Sequence, residues 1–235
     1  MTRRLIQLSF LIIFLFSQTM THIAFAEPTG WTEEEIGKVA VRANKAATRK
    51  KWSRAIRYGE QVLSASEALY GQNHRSYINR LKTLNRHYDK SGHLAKIPER
   101  VKLAYELSKK HYKAGHVAAR VSHLLYYKLL VSQKNYEAAT PLVLENIAIL
   151  TDSQDDRFKK LHYLGQLHGL YGITNQLAMQ EETLEMHLAL NQRLMGSALE
   201  DSISIIMNLG KTYCLQSKKL AFNTLMQTYA LKYKC

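Results

Sequence analysis

The sequence predicts an all-α solenoid of about five antiparallel helix hairpins, because one short pattern recurs at a fixed interval. Successive copies of the pattern end 41 or 42 residues apart. The copies are Trp52-Ser53-Arg54-Ala55, Leu94-Ala95-Lys96-Ile97, Tyr136-Glu137-Ala138-Ala139, Leu177-Ala178-Met179-Gln180 and Lys219-Leu220-Ala221-Phe222. An array of stacked hairpins has an extended surface and no built-in reaction chemistry, so we expect a protein that binds another molecule.

Short polar segments at the same phase predict the turn inside each hairpin. Polar residues with Gly or Asn close such connections because they tolerate the backbone angles of a reversal. The predicted turns are 49–51, 89–92, 132–135, 174–176 and 216–218.

Apolar residues step at helical spacing on both sides of these turns. Leu81, Leu84 and Tyr88 precede one turn, and Val101, Ala104 and Leu107 follow it. Spacings of three and four place each set on one buried stripe of a helix.

The two ends of the array have their own signals. Thr32 and Glu35 form a capping box, which marks a helix start. In the last helix we expect one apolar stripe, whereas Leu220 and Leu231 leave apolar surface that a homodimer contact through this helix could cover. The stripe comprises Phe222, Leu225, Met226, Tyr229 and Tyr233.

Residues 1–26 have the three parts of a secretory signal peptide: Arg3 and Arg4, an apolar run, and Ala24-Phe25-Ala26. The apolar run is shorter than the ~20 residues of a membrane span, so we favour cleavage near Ala26 over a retained anchor. The protein is then periplasmic or secreted. Residues 27–235 form one repeat domain, with repeats at 33–74, 75–116, 117–157, 158–199 and 200–235.

The net charge favours an anionic partner. The full chain carries +14, and removal of Arg3 and Arg4 leaves +12. For an exported protein this indicates acidic protein segments, anionic lipid head groups or cell-surface polymers, with nucleic acid not expected. Ordinary solvated helix faces are the alternative explanation.

The two cysteines are expected to stay apart. If the last helix continues to Cys235, that residue lies on the order of 20 Å from Cys214, whereas a disulfide requires Cα atoms within about 7 Å. The sequence therefore predicts no Cys214–Cys235 bond and leaves open a bond from Cys235 to another chain.

The residues resemble those of the tetratricopeptide repeats, in particular the 42-residue kind of kinesin light chains and many bacterial proteins. The resemblance is carried by residues 69–74 between the first repeats, by Leu81, Leu84 and Gly92, and by residues 136–139. It covers nearly the whole of the exported chain. Arg42 and Ala46 depart from the pattern, as does Gln180 at a position that is usually small.

This resemblance implies a right-handed superhelix whose first helices line a concave groove, and a non-enzymatic protein–protein interaction scaffold. The candidate groove residues are Asn79, Lys82, Arg86, Val121, Leu124, Lys128, His162, Gly165, Gly169, Gly172, Met207 and Lys211.

Lys82 and Arg86 lie four residues apart on one helix face, so they could hold a carboxylate together, with Lys128 across the groove and a hydrogen bond from Asn79. The first hypothesis is therefore a groove for an extended or acidic peptide segment. Ala40 and Leu125 occupy two positions of the family's carboxylate clamp, which is not reproduced. The second hypothesis is an adaptor that binds an anionic membrane or cell-envelope surface through its net charge.

Gly165, Gly169 and Gly172 share one face of a helix, where each costs about 1 kcal/mol relative to alanine. Three explanations are open: close packing inside the solenoid, a wall against a ligand, and neutral drift.

Catalytic and metal-binding patterns are not found in the sequence. His162 and His168 are six residues apart, and His111 and His116 are five apart, so neither pair has the i, i+4 ligand spacing. There is no phosphate-binding loop or nucleophile elbow. We expect no enzyme, no metal and no cofactor.

Overall fold

The computed structural model describes residues 30–196 and 198–235, so the predicted signal peptide lies outside the described residues. Within them the chain forms ten α-helices, one 3-10 turn at Leu94–Lys96, and no β-strand. The helices are α1 (Glu33–Thr48), α2 (Trp52–Tyr70), α3 (Arg75–Lys90), α4 (Pro98–His111), α5 (Val117–Ser132), α6 (Tyr136–Ala148), α7 (Gln154–Ile173), α8 (Leu177–Met195), α9 (Leu199–Leu215) and α10 (Lys219–Thr228).

The helices pair as five hairpins, from α1–α2 to α9–α10, and each hairpin packs on the next. The helix α3 also contacts α5, so the first helices of the second and third hairpins lie side by side. The prediction of an all-α solenoid is confirmed.

The core consists of small apolar clusters between neighbouring helices. The predicted stripe residues Leu81 and Leu84 are 0% and 1% exposed, and Ile206 and Leu209 occupy the same place in the last hairpin. The buried residues of each cluster come from one hairpin or from two neighbouring hairpins, so the array is held by contacts between neighbours.

One residue with left-handed backbone angles makes the turn of every hairpin. These residues are Lys50, Gly92, Lys134, Asn175 and Ser217, which repeat the 41- or 42-residue spacing. At the first turn Lys50 N–H donates to Ala47 O at 2.8 Å, and Lys51 N–H donates to Ala46 O at 2.9 Å. This pair of bonds is the Schellman motif, which satisfies the last free carbonyl groups of the helix.

Side chains cap the start of several helices. The predicted capping box of Thr32 and Glu35 is confirmed at α1. His74 and His116, one period apart, each accept a hydrogen bond from a backbone amide in the first turn of their helix. Their rings stack on Tyr70 and Tyr112 at 4.8 and 4.2 Å between centroids. These two histidines therefore have a structural role.

The second hairpin departs from the regular pattern. Residues 94–96, aligned with the starts of other second helices, form the 3-10 turn, and α4 begins at Pro98. A residue before proline is disfavoured in the helical region, and Ile97 has a ψ angle of 46°. Pro98 then fits the first position of α4, where no amide donor is needed.

The prediction of no Cys214–Cys235 bond is wrong, because the last helix is shorter than expected. The helix α10 ends at Thr228, and Ala230 has a φ angle of 50°. Leu231 N–H donates to Met226 O at 2.9 Å, which is the same reversal as in the hairpins. The tail runs back beside α10, and the two cysteines form a disulfide with Cα atoms 5.4 Å apart.

This tail covers part of the last hairpin. Leu231 packs against its core cluster, and Gln192 donates a hydrogen bond to Tyr229 Oη at 2.8 Å. Tyr233, expected on the helical stripe, lies in the tail with its ring 6.1 Å from that of Phe222. Of the two leucines predicted to form a homodimer contact, Leu220 is still 81% exposed, whereas Leu231 is packed within the chain.

We expect Ser217→Gly to stabilise the protein by about 1 kcal/mol, because a non-glycine residue with left-handed angles costs roughly 1–2 kcal/mol. Gly92→Ala is the matched reverse change and should destabilise by a similar amount. Urea unfolding followed by circular dichroism measures both. A loss of stability in Ser217→Gly would contradict the dependence of the fold on this turn.

Candidate binding groove

Three of the groove residues predicted on α5 and α7 come together in one cleft. Val121, Leu124 and His162 line it with Tyr127 and Tyr163, and its volume is about 320 Å³. Leu124 is 50% exposed although it lies among apolar and aromatic side chains. We call this space the α5–α7 cleft.

A second cleft of about 300 Å³ lies on the other side of α5, between α4 and α6. Tyr105 and Ile149 contribute to its wall. Arg120, His123 and Asn146 line both clefts, so the start of α5 separates two adjoining spaces. We call this space the α4–α6 cleft.

A polar cluster forms part of the wall of the α4–α6 cleft. Glu145 accepts hydrogen bonds from Tyr105 Oη at 2.9 Å and from Lys109 Nζ at 2.6 Å, and His123 Nε2 lies 3.6 Å from its carboxylate. Burial acts to raise the pKa of Glu145, but the bonds from Lys109 and Tyr105 outweigh it, so this pKa is lowered. Burial lowers the pKa of His123, which favours a neutral ring.

Sequence reasoning missed this cluster because its members are far apart in the chain. Glu145 lies 36 residues after Lys109 and 40 after Tyr105. Three other ion pairs have similar separations, Arg100 with Glu60, Lys128 with Asp89 and Lys218 with Glu181. A search for opposite charges slightly less than one period apart could have found these ion pairs, but not the Tyr105 and His123 contacts of the cluster.

Lys82, Arg86 and Asn79 lie together on α3 as predicted. Lys82 Nζ donates to Asn79 Oδ1 at 3.4 Å, and Asn79 donates to Tyr112 Oη at 2.9 Å. Burial, and then the nearby Arg86 charge, lower the pKa of Lys82. Among the residues that the structure describes, no carboxylate forms an ion pair with Lys82 or Arg86.

Lys128 does not join this pair as a third open cation. Its ammonium group lies 3.1 Å from the carboxylate of Asp89, whose side chain is only 17% exposed. Lys128 therefore links α5 to the end of α3, and its charge is paired with that of Asp89 instead of being free to bind a ligand.

The three glycines of α7 have different surroundings. A Cβ atom at Gly172 would lie 2.5 Å from Gln180 Nε2, and one at Gly165 would lie 3.4 Å from the His187 ring. A Cβ atom at Gly169 would meet nothing within 4 Å. Gly172 thus makes room for Gln180, the large residue at a usually small position, whereas Gly169 faces open space.

The remaining predicted residues lie on α9, one period beyond the glycines. Met207 is half-buried and Lys211 is exposed. Neither lines the α5–α7 cleft, which ends at α7. The structure therefore brings together two subsets of the predicted groove, one on α3 and one between α5 and α7.

Two half-buried histidines face each other between α7 and α8. The rings of His168 and His187 lie 5.3 Å apart. Burial, and then the proximity of His168, lower the pKa of His187 to about 4, so this ring is neutral at neutral pH.

No group of three or more metal-ligating side chains occurs among residues 30–196 and 198–235. No helix in these ranges is long and apolar enough to span a membrane.

Solved structures with similar architecture support a TPR-like fold. A protein from Podosopora anserina, described as a kinesin light chain with nearly identical TPR-like repeats, has a TM-score of 0.57 at 16% identity. The match covers 83% of this chain and 93% of that one. BtubC (BKLC) from P. vanneervenii has a TM-score of 0.53 at 16% identity, over 84% and 79% of the two chains. No family model and no curated protein matches the sequence.

Proposed function

We propose that the protein is a non-enzymatic interaction module that binds an extended peptide segment in its concave groove. An apolar side chain of the peptide occupies the α5–α7 cleft, and an acidic group lies near Lys82 and Arg86. The observation that carries this proposal is Leu124, which is half exposed in a cleft of about 320 Å³ on a helix that contacts α3, where Lys82 and Arg86 form no ion pair among the described residues.

The two subsets are placed to bind one segment. Leu124 lies 42 residues after Lys82, so the two residues hold equivalent positions on neighbouring first helices, and α3 contacts α5. An extended peptide advances about 3.3 Å per residue, so a short segment can cross from one helix to the next.

The two subsets would contribute differently to binding. Burial of a leucine-sized side chain contributes about 1.5–3 kcal/mol, which makes the cleft the main source of affinity. Exposed cations such as Arg86 mainly raise the association rate and select acidic partners. TPR-like repeats generally bind other proteins, which supports a peptide as the ligand class.

A photo-crosslinking amino acid at position 124 should capture the partner in the native host, whereas the same group at position 144 should not. Leu144 is a matched control because it is 44% exposed and lies on α6, the second helix of the same hairpin. With the captured segment as a synthetic peptide, Leu124→Glu should weaken binding at least tenfold, and Leu144→Glu should change it less than twofold. Equal capture at both positions would rule out the cleft as the binding site.

The charged subset is tested by Lys82→Glu combined with Arg86→Glu. We expect this variant to bind the captured peptide more weakly and with less dependence on salt, because exposed charge interactions are screened by ions. Lys96→Glu combined with Lys110→Glu makes the same change in net charge at exposed positions on the second hairpin. If both variants lose affinity equally, the effect is one of net charge and the acidic preference is wrong.

We further propose that the protein is exported. The signal-like residues 1–26 motivate this proposal, and the Cys214–Cys235 disulfide supports it, since disulfides persist mainly in oxidising compartments. The cysteines are 21 residues apart, and a disulfide that closes a loop of this length stabilises the folded protein against unfolding by roughly 3 kcal/mol, because it lowers the entropy of the unfolded chain.

Thiol labelling after acid quenching tests the proposal in the native host. The protein expressed from the full sequence should show no reactive thiol, and its mass should be that of a chain that begins near Glu27. A version without residues 1–26, kept in the cytoplasm, should show two reactive thiols and unfold at a lower temperature. Reduced cysteines in the unprocessed full chain would contradict export.

A further inference from the structure

One segment of the first hairpin carries many basic residues and no acidic ones. Residues 36–59 contain eight of the 33 Lys and Arg residues and none of the 19 Asp and Glu residues. The eight are Lys38, Arg42, Lys45, Arg49, Lys50, Lys51, Arg54 and Arg57.

The fold gathers five of these cations around one pocket. Arg42, Lys45, Arg49, Lys51 and Arg54 line a space of about 230 Å³ between the end of α1 and the start of α2. All five side chains are exposed to solvent, so an incoming ion can reach them. No acidic residue lines the pocket.

The charges of this pocket have no acidic partner among the described residues. None of its cations takes part in an ion pair of the described residues. The carboxylate of Glu34 pairs with Lys38, and that of Glu60 pairs with Arg100. At the last hairpin turn, by contrast, Lys218 lies 2.6 Å from Glu181.

We propose that this pocket binds a multiply charged oxyanion of the phosphate type. A single carboxylate would offset one of five charges, whereas a phosphate group carries about −1.5 to −2 and several strong acceptor oxygens. Arginine presents a planar fork of donors that matches such oxygens, and three of the five cations are arginines. The phosphate group can belong to a free ion or to a lipid head group.

The volume agrees with this ligand class. About 230 Å³ compares with roughly 30 Å³ for one water molecule in the liquid, so the pocket admits a phosphate group together with bound water. The site is separate from the α5–α7 cleft, which lies two hairpins further along the array.

Titration with inorganic pyrophosphate at constant ionic strength tests the pocket, with sodium chloride as the reference salt. We expect saturable binding by calorimetry and a rise in the unfolding temperature, because a ligand of the native state stabilises it. Combining Arg42→Gln, Arg49→Gln and Arg54→Gln should weaken binding at least tenfold. Combining Lys110→Gln, Lys160→Gln and Arg193→Gln removes the same charge from exposed positions elsewhere and should change affinity less than twofold.

Equal weakening in the two triple variants, or no saturable binding to the native protein, would overturn the proposal. Circular dichroism checks that each variant is folded, and Arg49→Gln alone provides a milder change at the turn. Leu124→Glu should leave pyrophosphate binding intact, so failure of the peptide groove and failure of this pocket are distinguishable.

Vesicles separate the two sources of phosphate. Phosphatidylcholine vesicles with a minor fraction of phosphatidic acid should bind the native protein, and pyrophosphate should release it, if the ligand is a head group. Binding of pyrophosphate without binding of the vesicles supports a free phosphate compound. Vesicle binding that the Arg42, Arg49 and Arg54 variant retains in full would contradict the assigned site.

Discussion

Each hairpin of this solenoid depends on one residue with left-handed backbone angles just after its first helix. One of the five is glycine and one is asparagine, which also tolerates these angles, so at the other three turns the strain is roughly 1–2 kcal/mol each. The two Schellman hydrogen bonds and the buried stripes on both helices offset this cost. The same motif at Ala230 ends α10 and reverses the chain, so the tail returns to Cys214.

Several basic side chains form ion pairs between stacked hairpins. These cations stabilise the fold and are not free to bind a partner, unlike the unpaired ones. Arg100, Lys109 and Lys128 each pair with a carboxylate of the neighbouring hairpin. Partly exposed pairs contribute at most about 1 kcal/mol, so their main effect is to remove these cations from the set that can meet a partner. Lys82 and Arg86 are the cations on α3 in the predicted groove, and neither forms an ion pair among the described residues. For this reason they carry the proposed acidic preference.

The sequence predicts what the period repeats and misses what happens once. The hairpins, their turns and the buried stripe through Leu81 and Leu84 follow from spacing. The position of Lys82 and Arg86 on one helix face follows from it as well. The tail does not, because the end of α10 at Thr228 depends on a reversal at Ala230, where an alanine gives no turn signal. Contacts such as that of Tyr105 with Glu145 depend on the rotation of one hairpin relative to the next. The spacing of residues along the sequence does not specify this rotation.

The two ends of the array are stabilised differently. A terminal hairpin has one neighbour instead of two, so it has fewer contacts to offset any unfavourable interaction. At the last hairpin the disulfide and Leu231 add contacts. At the first hairpin five exposed cations line one pocket and repel one another, and dissolved salt screens part of this repulsion. Because these side chains are exposed, stacking of α1 on α2 does not require their charge. An anion bound in the proposed pocket would reduce this repulsion and so stabilise the first hairpin.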